Sequence, residues 1–408
     1  MPVLNPSQQR TAVKHSRRIR STRKQITFSC TALLLFLLIL ECAARLFSAP
    51  PAQGRFRQIS EIVSFLSTED SSQILESDPD TFWKLRPGVT IHKPKSIIFQ
   101  GVVSNSLGYR NIDFQLQRPA STFRIVCFGD SSTFGIGTPH DQTWPAQLES
   151  SLRQVPDQAQ IQFQAASVPH AIEVVNAGVP GYTSHQILQK MRCELQQLAP
   201  DIVFVTCANN DFWRWDDRTD IQQAKRLADT SLRRFILRSR AIQIADTLYS
   251  QLVDSHPQHD AEWARQASHN YFRPEATWTP RVPLADFKRN LNAMADLCGK
   301  HGIPLVPVIW PDQPQAAGQW SIRIAYHDVM FQVARERGLP VVDITTAFRQ
   351  RPWSVQCYIP NDIVHVNAEG NRIAAVAAKD VLAELLPTIT GNQPETLPVG
   401  FTTGVSRN

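Results

Sequence analysis

A chain of 408 residues, 42% of them hydrophobic, has room for one large globular domain or two small ones. Its formal net charge is +6, but residues 1–24 hold Arg10, Lys14, Arg17, Arg18, Arg20, Arg23 and Lys24 and no acid, which leaves −1 for everything after them. A near-neutral body has no electrostatic footprint for nucleic acid, and that class of partner is excluded.

The basic tail, residues 1–25, precedes an apolar run from Ile26 to Leu40 that Ala43, Ala44, Leu46 and Phe47 extend. A membrane-crossing helix needs about 20 apolar residues. Residues 26–47 reach that length if Arg45 snorkels to the interface. Positive charge on the amino side predicts a cytoplasmic tail, a single transmembrane signal anchor over 26–47 and a body outside the cytoplasm. That body would lie on the periplasmic or outer face of the cell membrane. A cleaved signal with its site at Ser48-Ala49 is the competing reading; the long basic tail and Pro50-Pro51 speak against it.

Residues 48–120 read as a stalk and a lead-in. Residues 48–80 are weakly periodic, with Pro, Gln and Ser. Residues 81–120 carry β-like runs such as Ser96–Gln100 and are expected to pack on the main domain.

A regular alternation begins at residue 121 and runs to 386. Apolar runs predict strands at Phe123–Phe128, Glu173–Asn176, Ile202–Thr206, Pro304–Ile309 and Pro340–Ile344. Helical spacing between and after them predicts helices at Trp144–Leu152, His185–Leu198, Leu284–His301, Ser321–Arg337 and Ala368–Leu386. Gly302 and Gly338 stand where helices should end. Strands apolar on both faces, alternating with helices, predict a three-layer α/β/α sandwich around a five-stranded parallel sheet. Residues 212–280 break the alternation and are too long for a plain connection. Their arginines (Arg226, Arg233, Arg234, Arg238 and Arg240) read as a solvated face. The segment also carries Trp213, Trp215, Trp263 and Trp278; Trp213 and Trp215, next to a candidate site loop, suit either a substrate lid or ordinary packing. Residues 387–408 have the composition of a disordered tail.

The seven cysteines show no close pair spacing, and Cys30 and Cys42 fall in the membrane segment. Cys127 and Cys207 read as buried thiols, and no disulfide can be assigned. No metal-ligand spacing is present, and no cofactor is expected. His140, His185 and His301 are scattered and read as surface or loop residues.

Four loops collect chemistry-bearing residues at strand ends, where open α/β sheets bind ligands. Gly129-Asp130-Ser131 ends the first strand and opens a helix. Asn176-Ala-Gly178-Val-Pro-Gly181 follows the second, and Ala208-Asn209-Asn210-Asp211 the third. Asp362-Ile-Val-His365 lies after the last. A serine hydroxyl needs a base to take its proton and donors aimed at the developing oxyanion. His365 suits the base, and Asp362, three residues away, suits the group that holds its ring. A glycine N–H and an asparagine amide suit the donors. Each motif alone also reads as a turn or a helix cap; their joint placement is what points to a nucleophilic hydrolase.

These four loops resemble the blocks of the SGNH (GDSL-type) hydrolase superfamily over residues 121–386, the 212–280 insertion excepted. The first block matches Gly129-Asp130-Ser131 with Gly135. The second-block glycine matches Gly178, with Gly181 as a rival. Gly-x-Asn-Asp matches Ala208-Asn209-Asn210-Asp211, with Ala208 replacing the glycine and Asn209 competing with Asn210. The last block matches Asp362 and His365. The lead-in resembles that of membrane-anchored bacterial members in Trp83-Lys-Leu-Arg-Pro87 and in Asn105, Gly108 and Arg110; a structural ion pair is expected for Arg110.

The resemblance implies a flavodoxin-like fold and a Ser131–His365–Asp362 triad. It implies an oxyanion hole made by the Ser131 N–H, the Gly178 N–H and the Asn210 side chain. The expected activity is hydrolysis of a carboxylic ester, small or glycan-linked, with a short acyl group such as acetyl. Transfer of the acyl group to an envelope polysaccharide and non-catalytic binding at the membrane are the alternatives.

Overall fold

In a computed structural model of the chain, the runs that are apolar on both faces pair as one parallel sheet. The structure describes residues 6–47, 73–91, 101–153, 171–214, 218–228, 239–242, 244–245, 279–351 and 354–389. The strands are β3 (Thr122–Gly129), β4 (Ala171–Gly178), β5 (Ile202–Thr206), β6 (Leu305–Ile309) and β7 (Val342–Asp343), in the order β4-β3-β5-β6-β7. Two short strands, β1 (Leu75–Asp78) and β2 (Phe82–Leu85), form a separate antiparallel hairpin in the lead-in. The sheet order is flavodoxin-like. Chain direction across the sheet reverses between β4 and β5, on either side of β3, and ligands bind at such a switch point.

Side chains along β3 alternate between two cores. Val126 and Phe128 join Val203, Met191, Leu195, Phe287 and Met330 on one face. Ile125 and Cys127 join Phe204, Trp144, Leu148 and Ile373 on the other. The first face is covered by α4 (Ser184–Leu198), α6 (Leu284–Lys300) and α8 (Arg323–Arg337), which follow α1 (Pro6–Phe47), α2 (Ser131–Phe134), α3 (Trp144–Arg153) and α5 (Asp220–Ala228) in the chain. The second is covered by α3 and by α10 (Ala368–Ile389), with α7 (Gln313–Ala316) and α9 (Ile344–Arg349) between.

The last strand is shorter than the run Pro340–Ile344 suggests. Pro340 has no N–H to give a ladder, and Asp343 turns the chain by accepting from Thr346 N–H at 3.0 Å, so that Ile344 opens α9. Gly338 caps α8 with a positive φ of 64°. The short helix α7 carries its own signal, a capping box in which Asp312 and Gln315 satisfy each other's backbone N–H, with Pro314 in the first turn.

The lead-in packs on the sheet edge. The Asn111 side chain donates to Val174 O at 2.9 Å and accepts from Asn176 N–H at 2.6 Å, so it pairs with the outer side of β4 and covers an edge strand. Arg110 does not form the expected ion pair. Among the described residues no carboxylate reaches it; it donates to Thr138 O at 2.6 Å and stacks 4.4 Å from the Phe134 ring centroid. Burial lowers its guanidinium to about 9. Ser96–Gln100, the stalk to residue 72 and the tail from 390 lie outside the described residues.

Two compact units divide the chain. One is Phe56–Asp229 with His256–Asn408, and the other is Met1–Arg55 with Thr230–Ser255. In the second unit, Thr27–Phe47 is 21 residues long and apolar enough to cross a membrane. Its Phe28, Leu33, Phe36 and Ile39 are exposed, and Arg45 pairs with Glu41 one turn back. Glu41 also accepts from Ser239 Oγ and from the Arg240 and Ala241 N–H groups, so this helix holds part of the 212–280 insertion. Of the insertion's tryptophans, Trp213 is described; Trp215, Trp263 and Trp278, and Arg233, Arg234 and Arg238, lie outside the described residues.

Arg124, fully buried on β3, ties the sheet to its surroundings. It pairs with Glu173 at 2.5 Å and donates to Gln115 O, Leu116 O and Leu198 O. Arg124→Ala should cost about 3–5 kcal/mol in a denaturant melt, because Glu173 and three carbonyls lose their donor. A loss below about 1 kcal/mol would mean that the arginine only fills space.

Candidate active site

The strand-to-helix turn after β3 is tight enough to require glycine. A Cβ on Gly129 would lie 2.1 Å from Thr133 Oγ1. Asp130 then caps α2 by accepting from Ser132 N–H at 2.8 Å, and Ser131 becomes the first helical residue. The nucleophile candidate is thus fixed at the carboxyl end of the central strand. Its backbone N–H has no acceptor among the described residues, as first-turn amides lack intrahelical partners.

Residues 357–367 close on themselves. Tyr358 bridges Val366, Ile359 N–H donates to His365 O at 2.9 Å, and Asn361 turns with a positive φ of 65°. Asp362 Oδ1 accepts from Val364 and His365 N–H at 2.8 and 3.0 Å, which leaves Oδ2 facing His365 Nδ1 at 2.6 Å. His365 Nε2 lies 2.8 Å from Ser131 Oγ. With Nδ1–H given to Asp362, Nε2 is free to accept the serine proton. Burial pushes the Asp362 carboxyl up, but the His365 ring and the backbone donors outweigh it and hold the group at about 2. The carboxylate therefore stays charged across the physiological range.

Asn209 and Asn210 separate cleanly. Asn209 Nδ2 spends both hydrogens on Asp130 Oδ2 at 2.7 Å and Ser132 Oγ at 2.9 Å, so it braces the Ser131 turn. Asn210 Nδ2 gives one hydrogen to Tyr182 O at 2.9 Å and keeps the other. Ala208 holds a positive φ of 81° where glycine is at ease. Asp211 anchors that strained turn by accepting from Ala208 N–H and from the Ser184 N–H and hydroxyl. Burial pushes the Asp211 carboxyl up to about 7 against those donors. Burial likewise raises Asp130, opposed by Ser132 N–H, Asn209 and the charges of Arg323 and His365.

Gly178 needs correcting. Its N–H is committed to Asn176 Oδ1 at 3.1 Å, and a Cβ there would stand 2.3 Å from Phe134 N. It is the glycine that lets β4 lie against α2, not a free donor. Gly181, three residues on with a φ of 79°, has an N–H that meets no acceptor among the described residues. His185 is another correction: it is buried and stacks on Phe82 with ring centroids 6.1 Å apart. Sequence reasoning missed Asp130 and Asn209 as braces of the turn; the Asp-Ser step at a strand end was the available signal for the first. Among the described residues no cluster of side chains is arranged to hold a metal ion.

Gly178→Ala should therefore act on stability. The forced contact with α2 should cost about 1–3 kcal/mol by overpacking, read as a shift of the denaturation midpoint. Full stability would mean that α2 yields to the added methyl group and that the close approach is not needed.

Residues 127–373 match the model of the GDSL-like lipase/acylhydrolase family. Among solved structures, the chain is similar to a lipase/acylhydrolase from Enterococcus faecalis at 18% identity, over 67% of this chain and 100% of that one, with a TM-score of 0.37. It is also similar to a putative lipolytic protein of the G-D-S-L family from Desulfitobacterium hafniense (16% identity, 63% and 98% covered, TM-score 0.36). A third is an acetylxylan esterase from Geobacillus stearothermophilus (16% identity, 64% and 94% covered, TM-score 0.39). Likenesses this distant say nothing of substrate. No curated protein matches the chain. Since the matched region takes in more than half of the sequence, the chain belongs to the GDSL-like lipase/acylhydrolase family, serine hydrolases that act on ester bonds.

Proposed function

We propose that the protein is a membrane-anchored esterase that works outside the cytoplasm, cleaving a short-chain carboxylic ester through a Ser131 acyl-enzyme. One observation carries this reading: a single imidazole spans Ser131 Oγ at 2.8 Å and Asp362 Oδ2 at 2.6 Å. That is the reach a general base needs.

In the first half-reaction, Ser131 Oγ bonds to the ester carbonyl carbon while its proton passes to His365 Nε2. The carbonyl π pair moves onto oxygen, and Asp362 stabilises the imidazolium. The oxyanion accepts from Ser131 N–H, Gly181 N–H and the remaining Asn210 Nδ2 hydrogen. Collapse breaks the bond to the alcohol oxygen, which leaves with the proton from His365. In the second half-reaction a water gives its proton to His365 and its oxygen to the acyl carbon. Breaking the Oγ–C bond returns that proton to Ser131 and releases the acid. No step calls for a metal or a cofactor.

The alcohol side is a small molecule or a glycan. A basic amino tail before the apolar 21-residue helix favours a tail in the cytoplasm and the catalytic unit on the far side.

Intact mass after a fluorophosphonate should show one adduct, mapped to Ser131 and lost in His365→Ala. Ser131→Ala should abolish ester turnover and leave the melt within about 1 kcal/mol of wild type, as expected for a change confined to a site edge. An adduct elsewhere, or turnover that survives Ser131→Ala, would refute the nucleophile assignment. A reporter enzyme active only outside the cytoplasm, fused after Leu386, should be active; a well-expressed but silent fusion would reverse the orientation.

A further inference from the structure

The loop between β4 and α4 carries Gly181, and three side chains from three separate segments fix it. Trp83 Nε1, from β2, donates to Pro180 O at 2.9 Å. Arg281 Nη1, at the far end of the insertion, donates to Gly181 O at 2.9 Å. Asn210 Nδ2 donates to Tyr182 O at 2.9 Å. Successive carbonyls at 180, 181 and 182 are thus each held by a different part of the chain. Asn210 belongs to one of the four strand-end blocks; Trp83 and Arg281 lie outside all four.

Trp83 acts on the peptide that matters. Pro180 C=O and Gly181 N–H belong to the same planar unit, and in a trans peptide the two point in opposite directions. Holding the carbonyl with the indole N–H therefore aims the Gly181 N–H the other way. Arg281 holds the next peptide plane, so neither unit can rotate alone.

Both side chains are themselves fixed. Trp83 is fully buried, its ring is 5.9 Å edge-on from Tyr182, and its own carbonyl accepts from the Tyr182 hydroxyl at 2.5 Å. Arg281, 1% exposed, pairs with Asp220 at 3.1 Å, donates to Gln186 Oε1 at 2.6 Å and lies 5.6 Å from the Trp83 ring centroid. Asp220 accepts in turn from Thr183 Oγ1 at 2.5 Å, and Thr183 caps α4. The insertion's two ends are also joined through backbone, Asp220 N–H to Arg281 O at 2.7 Å and Arg281 N–H to Trp213 O at 2.6 Å.

We infer that Trp83 and Arg281 are positioning residues for the ester reaction, fixing the Gly181 N–H where the oxyanion forms. The inference rests on the esterase reading above. It makes the lead-in hairpin and the residue that closes the insertion parts of the catalytic apparatus rather than decoration on it.

The test uses the full chain in detergent, with a p-nitrophenyl acetate assay, a fluorophosphonate adduct and a boronic acid as tetrahedral mimic. Trp83→Phe keeps a ring and removes the N–H. It should lower kcat about tenfold or more, a part of what loss of a whole oxyanion donor costs, with KM nearly unchanged. Boronate affinity should fall in step with kcat, because the mimic places an oxygen where the oxyanion forms. Arg281→Lys, which keeps a cation for Asp220 but loses the fork, should show the same split and stands in if Trp83→Phe does not fold. A lower melting point with kcat and boronate affinity intact in the folded variants would leave these residues as packing only and overturn the inference. If wild type reacts with neither ester nor fluorophosphonate, the esterase reading itself falls and the inference falls with it; a reactive wild type beside an equally reactive Trp83→Phe overturns the inference alone.

Discussion

The site depends on the way β3 is bonded on both sides at once. It pairs in parallel with β4 from Thr122 to Gly129 and with β5 from Ile125 to Phe128. Those ladders bring the carboxyl ends of three strands to one edge, and the loops after them inherit that alignment. The Gly129–Gly178 pairing is the last rung. Both residues lack a Cβ because α2 crosses directly over them. A side chain at either position would push Ser131 away from the place where the His365 loop can reach it. The placing of Ser131 against His365 is here a consequence of strand register plus two missing methyl groups.

The second constraint is polar burial. Asp130, Asn209, Asp211, Thr183 and Asp220 are all withdrawn from water, where an unpaired polar group costs about 1–3 kcal/mol. The structure meets this by linking them: Asn209 to Asp130 and Ser132, Asp211 to Ser184 and Ala208, Thr183 to Asp220. The Asn209 and Ser184 links each join two of the strand-end loops, so bonds that satisfy burial also fix the site. Ala208 shows which requirement prevails: it accepts a left-handed backbone, a strain of about 1–2 kcal/mol for a residue with a Cβ, and its N–H reaches Asp211 at 3.0 Å.

Much of this was legible in the sequence, for a physical reason. Doubly buried strands leave continuous apolar runs, so Ile202–Thr206 was read to the residue, and the helices that cover the sheet were found to within a few residues at either end. The parallel fold followed from the alternation. Residues whose roles depend on distant partners were not legible. Nothing local distinguishes Gly178, under a helix, from Gly181, with its N–H open; they are three residues apart at the end of one strand. Arg110 looked like half of an ion pair because arginine usually is, yet its nearest described company is a carbonyl and an aromatic face. Pro340–Ile344 read as strand throughout because Asp343 as a helix cap competes with β-propensity only once the chain has turned. Trp83 and Arg281 lie 198 positions apart, and no pattern in either neighbourhood links them.

Residues outside the sheet are what complete the loop from Val179 to Ser184. No ladder or helix supplies donors to its carbonyl groups at 180 and 181; the indole of Trp83 and the guanidinium of Arg281 do. Gln186 carries the pattern further, giving its amide hydrogen to Thr81 O and accepting from Thr183 N–H and Arg281. The middle of the insertion falls in the same compact unit as the apolar helix. Its stems lie in the unit that holds the sheet, while the Ser239 hydroxyl and the Arg240 and Ala241 N–H groups are held by Glu41 near the end of the apolar helix.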